Sequence, residues 1–166
     1  MSYLSEQILT TTLILDPKSL NSDIDSIVRI KLKENVEGKS YEDGYIIEDS
    51  VRIIQRSMGK IVTNGKKSEI KYVIKYKAKV IYPSENDEIN IIINSINKLG
   101  VIGYIRLNEG DTSEESPMLI MVPKEYFSES SRNFDDLTVG QKMDVVTVGV
   151  RSKFNSNNIQ VIARPL

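Results

Sequence analysis

A set of basic and aromatic side chains in the second half of the chain has the chemistry of a single-stranded nucleic-acid site. Lysine and arginine contact phosphates, and a tyrosine ring can stack on a base. The set consists of Lys98, Tyr104, Arg106, Lys124, Arg151 and Lys153. However, residues 83–166 hold 8 Lys and Arg against 12 Asp and Glu, an unusual charge balance for a nonspecific nucleic-acid binder. The set therefore leaves two interpretations open, an RNA-binding site or an ordinary solvated surface.

A second basic feature lies in the first half of the chain, where residues 1–82 hold 14 Lys and Arg against 11 Asp and Glu. The twenty residues from Lys60 to Lys79 contain seven lysines and one acid, Glu69. This segment could bind nucleic acid or an acidic protein surface, and it could equally be the solvated face of a strand.

The side chains used most often in catalysis are missing. The chain of 166 residues has no His, no Cys and no Trp, so it lacks an imidazole base, a thiolate nucleophile and the usual zinc and iron–sulfur ligands. There is no glycine-rich phosphate loop. The adjacent carboxylates Glu114-Glu115 and Asp135-Asp136 fall in polar segments typical of exposed loops. We expect no catalytic residues, no metal and no cofactor.

A long strand is the clearest predicted element. Apolar side chains occupy every second position from Ile70 to Tyr82, and lysines occupy most of the positions between them. In a strand these two sets point to opposite faces, so one face should be buried and the other basic and exposed. The pair Asn64-Gly65 before this strand predicts a hairpin turn.

The rest of the first half predicts a small α+β domain over residues 1–82. A strand is expected from Gln7 to Asp16, followed by a helix that Asn21 or Ser22 caps and Gly38 ends. Three or four antiparallel strands should follow this single helix. Pro83 ends the long strand, and the polar residues after it indicate a domain boundary.

The second half predicts a five-stranded OB-type barrel over residues 83–166. Five short strands are expected at 88–97, 99–107, 118–122, 142–151 and 159–163, with a helical turn between the third and the fourth. No apolar run reaches the roughly 18 residues of a membrane span, and the N-terminus shows no secretory signal. We therefore expect an intracellular protein without a membrane segment.

Several short motifs occur in a fixed order along nearly the whole chain. They are Val36-Glu37-Gly38, Gly44-Tyr45-Ile46, Gly59-Lys60-Ile61 with the Asn64-Gly65 turn, Tyr72 to Pro83, Asp87-Glu88-Ile89 and Lys98-Leu99-Gly100. In their order and spacing they resemble the stalk subunit of multisubunit RNA polymerases, that is, the seventh subunit of eukaryotic RNA polymerase II and its archaeal counterpart.

This resemblance implies a non-catalytic polymerase subunit with an α+β tip domain and an S1-type OB domain. In the family, loops of the tip domain dock to the polymerase core near the clamp. The corresponding residues here are Glu37, Gly38, Gly44, Tyr45, Gly59, Lys60, Asn64 and Gly65. The implied partners are the large RNA polymerase subunits, a smaller helical stalk subunit, and nascent single-stranded RNA near the second domain.

The sequence departs from the family pattern at three points. Ile102 replaces an aromatic residue of S1 domains, no His occurs near Pro123-Lys124, and we expect no family-like extension after Leu166. The first two departures argue against base stacking. These departures and the high content of Ile, Lys and Asn suit a version of the stalk subunit that a large DNA virus encodes. Such a version would be located in the virion or the infected cell. A cellular eukaryotic version would be nuclear.

Two other functions stay open. One is a free-standing S1-type protein that binds single-stranded RNA through the barrel. The other is a protein-only adaptor whose OB barrel holds a partner and contacts no RNA.

Overall fold

The structure, a computed structural model, describes residues 3–20, 23–130, 132–152 and 156–166, with the backbone alone at positions 19 and 64. In chain order its elements are β1 (Leu4–Leu15), α1 (Ile24–Val36), β2 (Ser40–Tyr41), β3 (Gly44–Ile46), β4 (Arg52–Arg56), β5 (Lys60–Asn64), β6 (Lys67–Ile81), β7 (Glu88–Asn97), β8 (Gly100–Tyr104), β9 (Met118–Pro123), β10 (Lys142–Arg151) and β11 (Ile159–Pro165). The predicted order, a helix with an antiparallel sheet followed by a closed five-stranded barrel, is confirmed. None of the described helices is long and apolar enough to cross a membrane.

The described residues form two compact units. One contains Glu6–Gly38 and Ile46–Val80, and the other contains the chain up to Ser5, Lys39–Tyr45 and Ile81–Leu166. Compact packing and independent folding are different properties, so the division into domains 1–82 and 83–166 stays a prediction.

The helix α1 begins at a capping residue one position after the predicted ones. Asp23 accepts hydrogen bonds from the backbone N–H of Ser26 at 3.3 Å and from its hydroxyl at 2.7 Å. The predicted caps Asn21 and Ser22 lie outside the described residues. One face of the helix is buried through Val28, Leu32 and Val36.

The long strand β6 has the predicted two faces. Its buried side chains are Tyr72, Ile74, Tyr76, Ala78 and Val80, and the exposed side chains between them include Lys71, Lys75, Lys77 and Lys79. β1 is its neighbour in the sheet, and β4 and β5 pair with it in antiparallel register. The alternation therefore identified the buried face correctly.

The barrel closes in the order β10-β11-β9-β8-β7, which is consistent with an OB-type barrel. β9 and β11 run parallel, and the other pairs run antiparallel. Alternate residues from every strand fill the interior and are at most 1% exposed; examples are Ile91, Val101, Ile120, Val145 and Val161. Each strand therefore contributes to one shared core.

The strand β8 is shorter than predicted. It ends at Tyr104, whereas the sequence indicated Leu107. The backbone N–H of Ile105 donates to the hydroxyl of Ser116 at 3.2 Å, so this residue bonds a side chain outside the sheet ladder. The residues after Tyr104 are therefore loop.

Candidate functional site

The hairpin of β5 and β6, here called the ribbon (residues 58–71), is exposed on both of its faces at its outer end. The four consecutive side chains from Lys60 to Thr63 are all exposed, which cannot occur where one face of a strand packs on a core. The predicted hairpin is present, but its two loop residues are Gly65 and Lys66, because Asn64 ends β5 and pairs with Lys67. Gly65 has a φ of 64°. Three of the residues predicted to dock are thus exposed, namely Gly59, Lys60 and Gly65. The side chain of Asn64 is not among those described.

Apolar side chains on the ribbon were missed by the sequence analysis. Met58 is 88% exposed, Ile61 is 73% exposed and Val62 is 39% exposed. Ile61 and Val62 are adjacent, so they point to opposite faces and one buried face could not have covered both. Their adjacency was the signal in the sequence that could have indicated an exposed apolar side chain on the ribbon. Exposed apolar side chains on both faces of the ribbon offer contact area that a partner could cover.

The predicted docking residues Glu37 and Gly38 lie where the chain leaves α1. The carboxylate of Glu37 accepts a hydrogen bond from the backbone N–H of Val51 at 3.3 Å, and the N–H of Gly38 donates to the Ile46 carbonyl at 2.8 Å. Gly38 has a φ of 70°, where glycine is favoured. Both residues therefore have a structural role that does not depend on docking.

Gly44 and Tyr45, the other predicted docking residues, are buried. They lie in β3 and pair with Tyr41 and Ser40 of β2. Of this β2–β3 hairpin, only the turn residues Glu42 and Asp43 are fully exposed. The glycine and tyrosine can form the hairpin, but a partner would contact its acidic tip.

The exposed face of β6 carries closely spaced positive charges. Lys71 lies directly opposite Lys60 of β5, and Lys77 lies directly opposite Arg52 of β4. Like charges in such positions repel, and the repulsion favours binding of an anionic group. At Lys77 it is partly offset, because the ammonium forms an ion pair with Glu6 at 2.6 Å.

The predicted RNA-binding residues are distributed over several parts of the barrel. Lys98 lies in the β7–β8 turn, Arg151 ends β10, and both are exposed. Lys124 begins a 3₁₀-helix and places its ammonium 5.0 Å from the ring centroid of Phe134. Lys153 lies outside the described residues. Lys98 and Lys124 are neighbours at the backbone level, because the N–H of Lys124 donates to the Leu99 carbonyl at 2.9 Å.

Tyr104 and Arg106 are two members of this set whose side chains are in direct contact. Tyr104 is only 8% exposed, and the Arg106 guanidinium lies 5.9 Å from the centroid of its ring. Arg106 also donates to the Tyr104 hydroxyl at 3.3 Å. A base could stack on this ring only after the guanidinium moved away.

An apolar groove of about 440 Å³ crosses the outer face of the barrel. Its lining includes a row of residues paired across four strands, from β8 to β10, namely Ile102, Met121, Ile162 and Gly149. Arg151 is the single charged residue among the lining residues described. Because the described lining contains no aromatic ring, the groove suits aliphatic side chains better than stacked bases.

The described residues contain no cluster of three or more metal-ligating side chains. They do contain two surfaces with the chemistry of protein binding, the ribbon and the apolar groove. No family model matches the chain, and a comparison with curated proteins gives no significant match.

Proposed function

We propose that this chain is a non-catalytic stalk subunit of a DNA-directed RNA polymerase, with an α+β tip domain and an S1-type OB barrel. The succession of a one-helix antiparallel sheet and a closed five-stranded barrel supports this proposal. So does the ordered series of short motifs in the sequence. The large polymerase subunits would be its main partners, and a smaller helical stalk subunit would be a further one.

The observation that carries the proposal is the exposure of the ribbon. It contains one of the two loops that the resemblance assigns to docking, and Met58 and Ile61 extend from it into solvent. An exposed two-stranded ribbon with apolar side chains would gain stability when a partner covers it. A subunit that is folded before it joins a larger assembly needs such a surface.

A protein-only adaptor is the second candidate, and the apolar groove favours it. Ile102, Leu119 and Met121 offer aliphatic contacts, whereas Tyr104 is covered by Arg106. This chemistry supports a barrel that holds a protein segment. A free-standing protein that binds RNA through the barrel is less well supported, since its predicted stacking ring, Tyr104, is covered by Arg106.

The decisive experiment is affinity purification of the tagged full chain from its source cells, followed by mass spectrometry. The variant M58S/I61S removes apolar contact area from the ribbon, while I30S changes an isoleucine on α1 that is 54% exposed. We expect the unchanged chain and I30S to recover the large polymerase subunits, and M58S/I61S to recover at least tenfold less.

Recovery of other proteins without any polymerase subunit would contradict the stalk proposal and support the adaptor. Salt-sensitive binding of single-stranded RNA by the purified chain, without a protein partner, would instead support the free-standing RNA-binding protein. Circular dichroism of M58S/I61S checks that the loss of partners does not come from unfolding.

A further inference from the structure

The strand β1 forms an edge of its sheet. It stands at the end of the strand order, and β6 is the one strand that pairs with it among the described residues. On its covered face Leu13 and Leu15 are buried, but Leu9 and Thr11 are only half-buried. The second edge of β1 is therefore available to another strand.

From Gln7 onward, beyond the exposed charge of Glu6, this edge lacks the features that usually prevent strand pairing between molecules. Proteins protect such edges with charged residues, prolines, bulges or short strands. The nine residues Gln7–Leu15 contain no charged residue and no proline, and β1 is 12 residues long. Ile8 is 59% exposed and Ile14 is 55% exposed on its open face.

The sequence of this edge is also complementary to itself. The seven residues Ile8-Leu9-Thr10-Thr11-Thr12-Leu13-Ile14 are the same in either direction, with Thr11 at the centre. In an antiparallel pair of two copies with a two-fold axis at Thr11, every position would face its own residue type. Ile8 would face Ile14 of the second copy on the open side of the sheet, and matched β-branched pairs stabilise a ladder.

We propose that β1 is a self-association surface and that its partner is a second copy of this chain. The two β1 strands pair antiparallel about Thr11 and join two sheets into one. Because a two-fold pair uses the same edge of both copies, the pairing of the β1 edges closes on itself and the assembly stops at a dimer. This property is independent of the proposed role in transcription. The paired ladder spans only about 24 Å, so we expect a dimer that depends on concentration.

A cysteine cross-link tests the position of the two-fold axis. The chain has no native Cys, so T11C introduces the single thiol of each copy. Across an antiparallel pair the two Cα atoms would lie about 4.5–5.5 Å apart, within reach of a disulfide. We expect mild oxidation to convert T11C into a covalent dimer several times faster than M58C, whose more exposed thiol reports random collision.

Charge substitutions at the two isoleucines test the register independently. In I8K/I14K the introduced lysines would face each other twice in each dimer, whereas in I8K/I14E each lysine would face a glutamate. Sedimentation velocity over a range of concentrations should show dimers for the unchanged chain and for I8K/I14E, and monomers for I8K/I14K. The control I30K alters an isoleucine on α1 and should leave the dimer unchanged.

Both positions are more than half exposed, so these variants should fold, and circular dichroism verifies it. A chain that stays monomeric up to several hundred micromolar would overturn the proposal. So would an I8K/I14K variant that dimerises as well as the unchanged chain, or equal cross-linking rates for T11C and M58C.

Discussion

The guanidinium of Arg106 lies over the ring of Tyr104, 5.9 Å from its centroid, and donates a hydrogen bond to the Tyr104 hydroxyl at 3.3 Å. A second hydrogen bond, to the Asp111 carbonyl at 3.0 Å, fixes the arginine between strand β8 and the following loop. The cation and the ring that suggested RNA binding in the sequence are thus already bound to each other.

Truncation of Tyr104 should therefore destabilise the barrel. We expect Y104A to lower the free energy of unfolding by about 3 kcal/mol, because a buried aromatic ring is lost. Y104F keeps the ring and removes only the hydroxyl, so its cost should be about 1 kcal/mol or less. Urea denaturation measures both. Equal stability of Y104A and the unchanged chain would mean that the ring does not belong to the core.

Two glycines of the barrel should respond oppositely to alanine. Gly100 has a φ of 148°, and a Cβ there would lie 2.2 Å from the Val122 carbonyl oxygen, so G100A should cost more than about 2 kcal/mol. At Gly149 a Cβ would meet no atom within 4 Å. G149A should therefore be neutral or stabilising by about 0.5 kcal/mol. The denaturation midpoints of G100A and G149A measure this difference in stability. Similar midpoints for the two variants would contradict the close packing around Gly100.

The buried hydroxyl of Thr147 offers a stabilising substitution. Its Oγ1 has no hydrogen-bond partner among the described residues, and the side chain is 1% exposed. T147V replaces this hydroxyl by a methyl group of similar size, and should raise the free energy of unfolding by about 1 kcal/mol. The control T147A leaves a cavity and should destabilise. A decrease in the melting temperature of T147V would indicate that the hydroxyl has a partner.

Part of the acid sensitivity of the fold should come from Asp23. Hydrogen bonds from the Ser26 hydroxyl and backbone N–H lower the pKa of this carboxyl below its usual value. The pKa of Asp23 is therefore lower in the folded state than in the unfolded state. The contribution of this carboxylate to the free energy of unfolding is fully present above the unfolded-state pKa, and it is lost as the pH falls through the folded-state pKa. D23N keeps a capping oxygen that does not titrate. Its stability, measured by urea denaturation between neutral pH and pH about 2.5, should fall less with acid than that of the unchanged chain.

Charge reversal on the open face of β6 should separate protein binding from RNA binding. We expect K71E/K75E/K77E to lose the protein partner while its affinity for single-stranded RNA does not change. The control K18E/K31E/K142E changes three other exposed lysines and the net charge by the same amount. Affinity purification and fluorescence anisotropy measure the two activities. A selective, salt-dependent loss of RNA affinity in the first variant would assign the surface to RNA.

Much of the fold could be predicted because its signals are local. The alternation along β6, the Asn64-Gly65 signal for a hairpin and the regular spacing of the barrel strands each depend on neighbouring residues. β2 was missed because it is two residues long and has no pattern of its own. It pairs with the short strand β3 and with a distant residue, since the Ser40 N–H donates to the Ser156 carbonyl at 2.7 Å.

The candidate site was harder to predict for a physical reason. Residue type indicates what a side chain can bind, but accessibility depends on tertiary packing. Tyr104 has the right chemistry for stacking and is covered, whereas Met58 has no polar chemistry and is the most exposed of the large hydrophobic residues described. The lysines of β6 were assigned to the exposed face correctly, since alternation alone determines the face of a strand.

The position of β11 between β9 and β10 has a consequence for synthesis on the ribosome. The parallel pair β9–β11 and the antiparallel pair β10–β11 both require the last of the described strands. Until that strand leaves the exit tunnel, β9 and β10 each present an open edge. The barrel therefore closes only after residues up to Pro165 have been released, and its many nonlocal pairings make this step slow. During that interval those two edges are open to pairing with other chains.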